Sequence, residues 1–381
     1  MATLLAVVVV DLIGFGIVMP VLPFWARTYG ADGTTLGLIQ AAYAAAQFVF
    51  APIWGRLSDR VGRRPVLLAT IAGTACSLLL LGLADSLAGI FLARLLAGSF
   101  AANISVAAAY LADVTGEEAR TRAMGLLGAS FGIGFLVGPA LGGLLAPRGY
   151  DVPMLFAAGL AATNLGFAVA FLPEPAGRAA REELGRLAVL RDPRVLRVCA
   201  TYLLFSLAVT QLETVFAYFM LDRFGYDARE VAFILVGMAL VMGAIQGGAM
   251  GGLARRFRDR ELVLGGGALL AAGFALTPLA PSVPLLLVPL LAAAVGRAVA
   301  QPALMSLASQ VATPATRGAV MGSFQSSASL ARVVGPVLAG VLYDRSIGAP
   351  FGLAAALLGL ALLTARGLSG GAGPDAAGAG A

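Results

Sequence analysis

The sequence predicts an all-α integral membrane protein: twelve transmembrane helices arranged as two pseudo-symmetric six-helix bundles. Three observations predict it. The 381 residues are 59% hydrophobic and only 12% charged, with a mean hydropathy of +0.90, more apolar surface than one soluble core of that length can bury. The apolar residues come in runs of about 20, the length with which a helix crosses a hydrocarbon layer ~30 Å thick while satisfying its own backbone hydrogen bonds. Short motifs also return at a near-constant offset along the chain.

Gly/Pro and polar breaks set the predicted spans. Helices one to six are expected near 4–24, 36–55, 66–84, 87–111, 123–146 and 152–172; helices seven to twelve near 198–221, 231–253, 262–279, 285–309, 319–343 and 351–365. The opening Met1 to Val10 has no basic stretch and no small-residue cleavage site before Asp11, so it reads as the first span and not as a removable leader. The start is abrupt, and a few upstream residues are expected to be missing. The segment Pro173 to Arg197, rich in Arg, Glu and Pro, is the longest polar break. It divides an N-terminal bundle (1–172) from a C-terminal one (198–366) as a linker (173–197), and the Gly/Ala tail 367–381 reads as disordered.

Arginine placement gives the orientation, because basic loops resist translocation. Arg56, Arg60, Arg63, Arg64, Arg120, Arg122, Arg255, Arg256, Arg258, Arg260, Arg317, Arg366 and the linker arginines Arg178, Arg181, Arg186, Arg191, Arg194 and Arg197 fall on one side. Only Arg27, Arg148, Arg223, Arg229 and Arg345 fall on the other, and Arg94, Arg297 and Arg332 lie inside helices. Both termini are therefore expected in the cytoplasm. The net charge of +6 and pI of about 9.8 reflect these loops; no stacking aromatics are interleaved with them, so nucleic acid is not an expected partner. Cys76 and Cys199 have neither metal-ligand nor disulfide-framework spacing.

The repeat is explicit. Met124-Gly125 returns as Met321-Gly322, and Gly138-Pro139 as Gly335-Pro336, both 197 residues on. Parallel six-helix repeats put a binding site near the midplane and move solute by rocking one half against the other. Rocking needs close helix contacts, and small residues four apart allow them: Gly134, Gly138 and Gly142 in helix five, Gly243, Gly247 and Gly251 in helix eight, and Gly335 with Ala331 and Ala339 in helix eleven. An enzyme reading has one hook, the G-x-S-x-G pattern of Gly128 to Gly132. It lies within a span, and a chain without histidine has no conventional triad.

The loop Gly55-Arg56-Leu57-Ser58-Asp59-Arg60-Val61-Gly62-Arg63-Arg64 resembles the helix two–three loop that marks the major facilitator superfamily. Arg94 to Gly98 is similar to that family's second motif, and Gly134 to Gly143, including Pro139, is similar to its antiporter motif. Asp11 to Gly16 running into Pro20 to Pro23 is similar to helix one of the drug:proton antiporters, nearest to bacterial tetracycline efflux proteins, chiefly from Asp11 to Gly143. The departures are Ser77, where those carriers have an acidic residue, no carboxylate in the core of helix nine, and no histidine.

The resemblance implies a proton-coupled exporter of small lipophilic compounds in a bacterial inner membrane, working as a monomer with no cofactor beyond the proton gradient. The alternative is an importer or facilitator of a small polar nutrient. A membrane-embedded group must then change charge. Asp11, ~12 Å deep at 1.5 Å per residue, is the candidate, with Arg94 the expected partner; snorkelling to the inner surface is the alternative. Glu213 and Arg297 repeat that pair by helix. Glu213 could be a second proton site, a contact for a cationic substrate, or an interfacial residue paired with Arg332. Phe15, Asn103, Gln211, Gln301 and Met305 are candidate cavity residues, each with helix packing as the plainer account. Gly55, Asp59, Arg60, Gly62, Arg63 and Arg64, with Asp113 at the end of helix four, are expected to form a conformational latch. In the family pattern Asp59 faces the start of helix eleven. Arg255 stands where the second copy would need the aspartate, so one latch of this type is expected.

Overall fold

The computed structural model describes residues 1–115, 117–175, 188–313 and 316–368. Among them it is all-helical, with twelve helices long and apolar enough to cross a membrane: Ala2–Thr28, Gly33–Val61, Arg63–Gly82, Leu87–Val114, Ala123–Arg148, Asp151–Phe171, Pro193–Phe224, Ala228–Arg256, Asp259–Leu279, Val283–Gln310, Arg317–Arg345 and Ala349–Arg366. Each expected span is present, and most run several residues further at one or both ends. The apolar run marks only the part that needs lipid, whereas capping groups decide where the helix stops. Helix two starts at the Asp32 carboxylate, which accepts the Thr35 N–H at 2.8 Å, and helix four starts at Ser86, whose hydroxyl accepts the Gly89 N–H. Arg178, Arg181, Arg186 and the tail beyond Leu368 lie outside the described residues, as do the side chains of Arg120 and Arg122.

Two helices are interrupted where the sequence predicts continuity. Helix four breaks at Ala101 and Ala102 into Leu87–Phe100 and Asn103–Val114. The break frees backbone carbonyls that hydrocarbon would leave unpaired. Helix two supplies donors for two of them: Trp54 Nε1 to the Ser99 carbonyl at 2.7 Å and Gln47 Nε2 to the Ala101 carbonyl at 3.0 Å. Helix eight widens to a π-turn over Ile245–Ala249.

The chain divides into two compact units, one of helices one to six with Ala217–Gly237, the other holding the rest of the second half. In the first, helix one is backed by helix five so closely that a Cβ on Gly138 would lie 2.6 Å from the Gly16 Cα, and one on Gly142 would lie 2.6 Å from the Ile17 carbonyl oxygen. Asn164 of helix six donates to the Val7 carbonyl, one turn before Asp11. At the end of the unit away from the Arg-rich loops, Arg27 pairs with Asp222 at 3.0 Å and lies over the Tyr218 ring, whose hydroxyl donates to the Ala31 carbonyl.

In the second unit helix seven meets helix eleven as helix one meets helix five. Gly335 lies against Thr210, and the Gly335 carbonyl accepts from Gln211 Nε2 at 3.2 Å. Helices nine and ten form another close seam, in which a Cβ on Gly266 would meet the Gly296 carbonyl oxygen at 2.8 Å and one on Gly273 the Pro289 carbonyl oxygen at 2.6 Å. Small-residue spacing in the sequence does not single out this seam. The stripe it chose on helix eight is open instead: a Cβ on Gly243, Gly247 or Gly251 meets nothing within 4 Å. The G-x-S-x-G residues are ordinary helix, with the Ser130 hydroxyl donating to the Leu126 carbonyl four residues back.

Candidate functional site

In the first unit Asp11 sits near the middle of helix one, partly buried, and its Oδ1 accepts a hydrogen bond from Asn103 Nδ2 at 2.7 Å. Asn103 is the first residue after the break in helix four, so the interruption sets the position from which the amide reaches helix one. Its Oδ1 is buried without a donor, as is that of Asn164, whose Nδ2 bonds the Val7 carbonyl of helix one. The expected Asp11–Arg94 pair is not formed among the described residues. Arg94 lies instead over the ring of Tyr43 of helix two, 4.2 Å from its centroid, with its Nε buried and without an acceptor. Position along a helix sets depth, but it does not fix which faces of helices one and four turn toward each other. Phe15 reaches the same place: its ring lies 5.8 Å from Tyr43 and 6.2 Å from Phe135 of helix five, and Phe131 stacks on Phe135. Asn164 was missed because one asparagine in an apolar helix carries no periodic signal.

The loop between helices two and three is built around Arg63. Its Nη1 bonds Asp59 Oδ1 and Ser58 Oγ, each at 2.6 Å, while Nε bonds Asp113 Oδ2 at 2.8 Å. The Arg63 and Asp113 side chains are 6% and 3% exposed, against 53% for Asp59, so the Asp113 contact is the buried half of the cluster. Gly62 turns the chain with φ +124°, a region closed to most side chains. This aims the backbone N–H groups of Arg63 and Arg64, the start of helix three, at Glu174 just beyond helix six, whose two carboxylate oxygens accept them at 2.7 and 2.9 Å. A carboxylate there satisfies orphan amides and faces the positive end of the helix dipole. Gly55 has open space around it. Glu174 was not singled out in the sequence, where it reads as ordinary linker polarity.

In the second unit Glu213 pairs with Arg297 at 2.6 Å, their side chains 35% and 31% exposed, and Arg297 Nε makes a long 3.4 Å contact to Gln301 Oε1. Glu213 is thus partnered by Arg297 and not by Arg332. Gln211 is fully buried against helix eleven, a packing contact and not an open cavity residue, while Met305 is 51% exposed. Tyr202 stacks flat on Phe324, centroids 3.8 Å apart.

The counterpart of the Arg63 cluster is a contact of different chemistry. Asp259, at the start of helix nine, accepts hydrogen bonds from Ser306 Oγ and Gln310 Nε2 of helix ten, each at 2.6 Å. Asp259 stands 196 residues after Arg63, and Gln310 stands 197 after Asp113. The second copy therefore keeps a clasp at this position with a carboxylate in place of the arginine. The change of residue type hides this clasp from a motif match.

A family model described as Major Facilitator Superfamily matches residues 4–258 and 249–374. The tetracycline resistance protein, class D, of Salmonella ordonez is 33% identical over 353 residues, 90% of this chain and 89% of that protein. Multidrug resistance protein 2 of Bacillus subtilis (strain 168) is 29% identical over 362 residues, 91% of this chain and 90% of that protein. Among solved structures, a human organic anion transporter superposes with a TM-score of 0.73 at 27% identity, covering 96% of this chain and 98% of that one. A bacterial homologue of the human lysosomal transporter Spinster gives 0.82 at 14% identity over 96% and 94%, a likeness of fold.

Proposed function

Since the chain belongs to the major facilitator superfamily, a family of transporters and not of enzymes, we propose that it is a proton-coupled antiporter that exports small lipophilic compounds by alternating access. The names of its relatives, tetracycline and multidrug resistance proteins, support efflux and a drug-like cargo. The arginine distribution supports both termini in the cytoplasm, and the bacterial relatives support an inner-membrane location. One chain suffices for the cycle, and the proton gradient replaces any cofactor.

The observation that carries this reading is Asp11 with its amide partner. The chain contains no lysine and no histidine, and an arginine does not give up its proton in a protein. Cysteine and tyrosine are ordinarily neutral at physiological pH, so reversible charge inside the membrane is assigned to a carboxylate. Glu213 already faces Arg297 at 2.6 Å, and protonating it would strand that cation. Asp11 faces a neutral amide, which serves both states: the Nδ2 donates to the carboxylate, and the free Oδ1, turned over, accepts from the carboxylic acid. Loading a proton on Asp11 removes a charge from helix one, which moves with helix five because their backbones touch at Gly16 and Gly138.

A growth panel of antibiotics names a cargo, and everted vesicles then test the coupling. Adding the cargo, tetracycline first, is expected to move protons in vesicles with the native chain and not in vesicles with Asp11→Asn at equal abundance. Undiminished proton movement in that variant removes Asp11 from the mechanism.

A further inference from the structure

We infer that Arg94, with Tyr43, Phe15 and Phe135, forms the recognition site for a negatively charged group carried on an aromatic ring system, so that the cargo is an aromatic anion or a zwitterion bound by its anionic end. The inference rests on the reading of the chain as a carrier and narrows what it carries.

The starting point is an uncompensated charge. Arg94 is 7% exposed, within an apolar helix, and its guanidinium stays charged in any environment the protein offers. Buried cations in hydrocarbon are expensive and pair with acids or carbonyls. Arg297, also within a span, follows that rule with Glu213. Arg94 does not: among the described residues no carboxylate lies within ion-pair distance of it, and its Nε has no acceptor. Asp11, near the middle of helix one, is engaged by Asn103. The Tyr43 ring beneath the guanidinium offers a cation–π contact, worth roughly 0.5–2 kcal/mol, too little to replace a counter-ion.

The surroundings specify what would complete the site. The guanidinium carbon lies 4.2 Å from the Tyr43 ring centroid and the Nε is buried without an acceptor, and a guanidinium is the group that takes a carboxylate, sulfonate or enolate through two parallel bonds. Phe15, Tyr43 and Phe135 are each half-buried, with ring centroids about 6 Å apart (5.8 and 6.2 Å) in tilted and edge-on arrangements. Such rings leave faces and edges for a planar aromatic ligand. A purely cationic amphiphile would place its charge against Arg94 and pay for it.

The test is equilibrium binding to the purified full-length protein in detergent, without a proton gradient, using naphthalene-2-sulfonate and trimethyl(2-naphthyl)ammonium. The two probes share a ring system and differ in the sign of their charge. The sulfonate is expected to bind at least about tenfold more tightly, the effect of one charge-assisted hydrogen-bonded pair. Arg94→Gln is expected to lose that preference and leave the ammonium unaffected, and Arg94→Lys, which keeps the charge without the fork, to fall between. Should Arg94→Gln not elute as a folded species, Tyr43→Leu, which frees the guanidinium from its platform, is expected to weaken the sulfonate several-fold. Equal or tighter binding of the ammonium, sulfonate binding unchanged by these variants, or binding of neither probe overturns the proposal. Because no gradient is involved, sulfonate binding without proton movement in vesicles would reject the antiporter reading and leave this site standing.

Discussion

The seam between helices one and five gives the sharpest quantitative expectation. In Gly138→Ala the new methyl would sit 2.6 Å from the Gly16 Cα and 2.8 Å from the Ile13 carbonyl oxygen. Carbon atoms rest about 3.5–4.0 Å apart, so the helices must separate by about 1 Å. Both obstructing atoms are backbone, and no rotamer change relieves them. Inserting a methylene-sized group into a packed site costs roughly 1–3 kcal/mol, and alanine recovers up to ~1 kcal/mol of that through its better helix propensity. With backbone on both sides the cost falls toward the upper end, about 2–3 kcal/mol, so a net loss of about 1–2 kcal/mol follows for Gly138→Ala. Gly243→Ala on helix eight meets nothing within 4 Å, so it is expected to be neutral or to gain up to ~1 kcal/mol. Thermal unfolding of the two variants in the same detergent, followed by retention on size exclusion after heating, measures the difference. A Gly138→Ala protein as stable as the parent, or a Gly243→Ala protein that loses as much, would refute the seam as described.

Three further outcomes follow from particular contacts. Asp113→Asn breaks a pair whose members are 6% and 3% exposed and is expected to cost about 3–5 kcal/mol, whereas Asp59→Asn, at a 53% exposed carboxylate, costs under ~1 kcal/mol; melting of both variants checks the order. At the second-unit pair, Glu213→Gln is expected to destabilise more than the double variant Glu213→Gln/Arg297→Gln, because the single change leaves a cation without its partner, and a double-mutant cycle reads the coupling. The hydrogen bond from Thr35 holds the Asp32 carboxyl below its ordinary pKa. Its contribution is therefore full above the ordinary carboxylate value and is lost as pH falls through the depressed one. Asp32→Asn should flatten the acid limb of a melting profile, and an unchanged limb would remove the cap from the account.

The spans were legible in the sequence because lipid imposes a single rule on every helix, and twelve long apolar runs obey it. The arginine-rich loop at Gly55 to Arg64 was legible for a related reason, as its charges stand out from an apolar background. What composition does not encode is the rotation of one helix against its neighbour. Thus Asp11 and Arg94 were both visible as intramembrane charges, yet their partners, Asn103 and Tyr43, depend on helix facing and on a break at Ala101 and Ala102. That break falls in residues as apolar and helix-compatible as those around it. The small-residue rule found the seam on helix five and the contact at Gly335, but it also selected the open stripe on helix eight and passed over Gly266, Gly273 and Gly296. Spacing permits a close approach without choosing the partner. Asp259 went unnoticed because its clasp conserves a position and not a residue type.

The interruption of helix four also places a natural optical probe where it is useful. The chain has two tryptophans. Trp25 is buried in helix one, whereas Trp54 donates its indole N–H to the Ser99 carbonyl beside the break and lies 5.5 Å from the Phe100 ring. Straightening helix four would reclaim that carbonyl for its own ladder and release the indole. With Trp25 replaced by phenylalanine, the emission of Trp54 becomes a label-free signal of helix-four geometry, readable in real time while ligand or pH is changed.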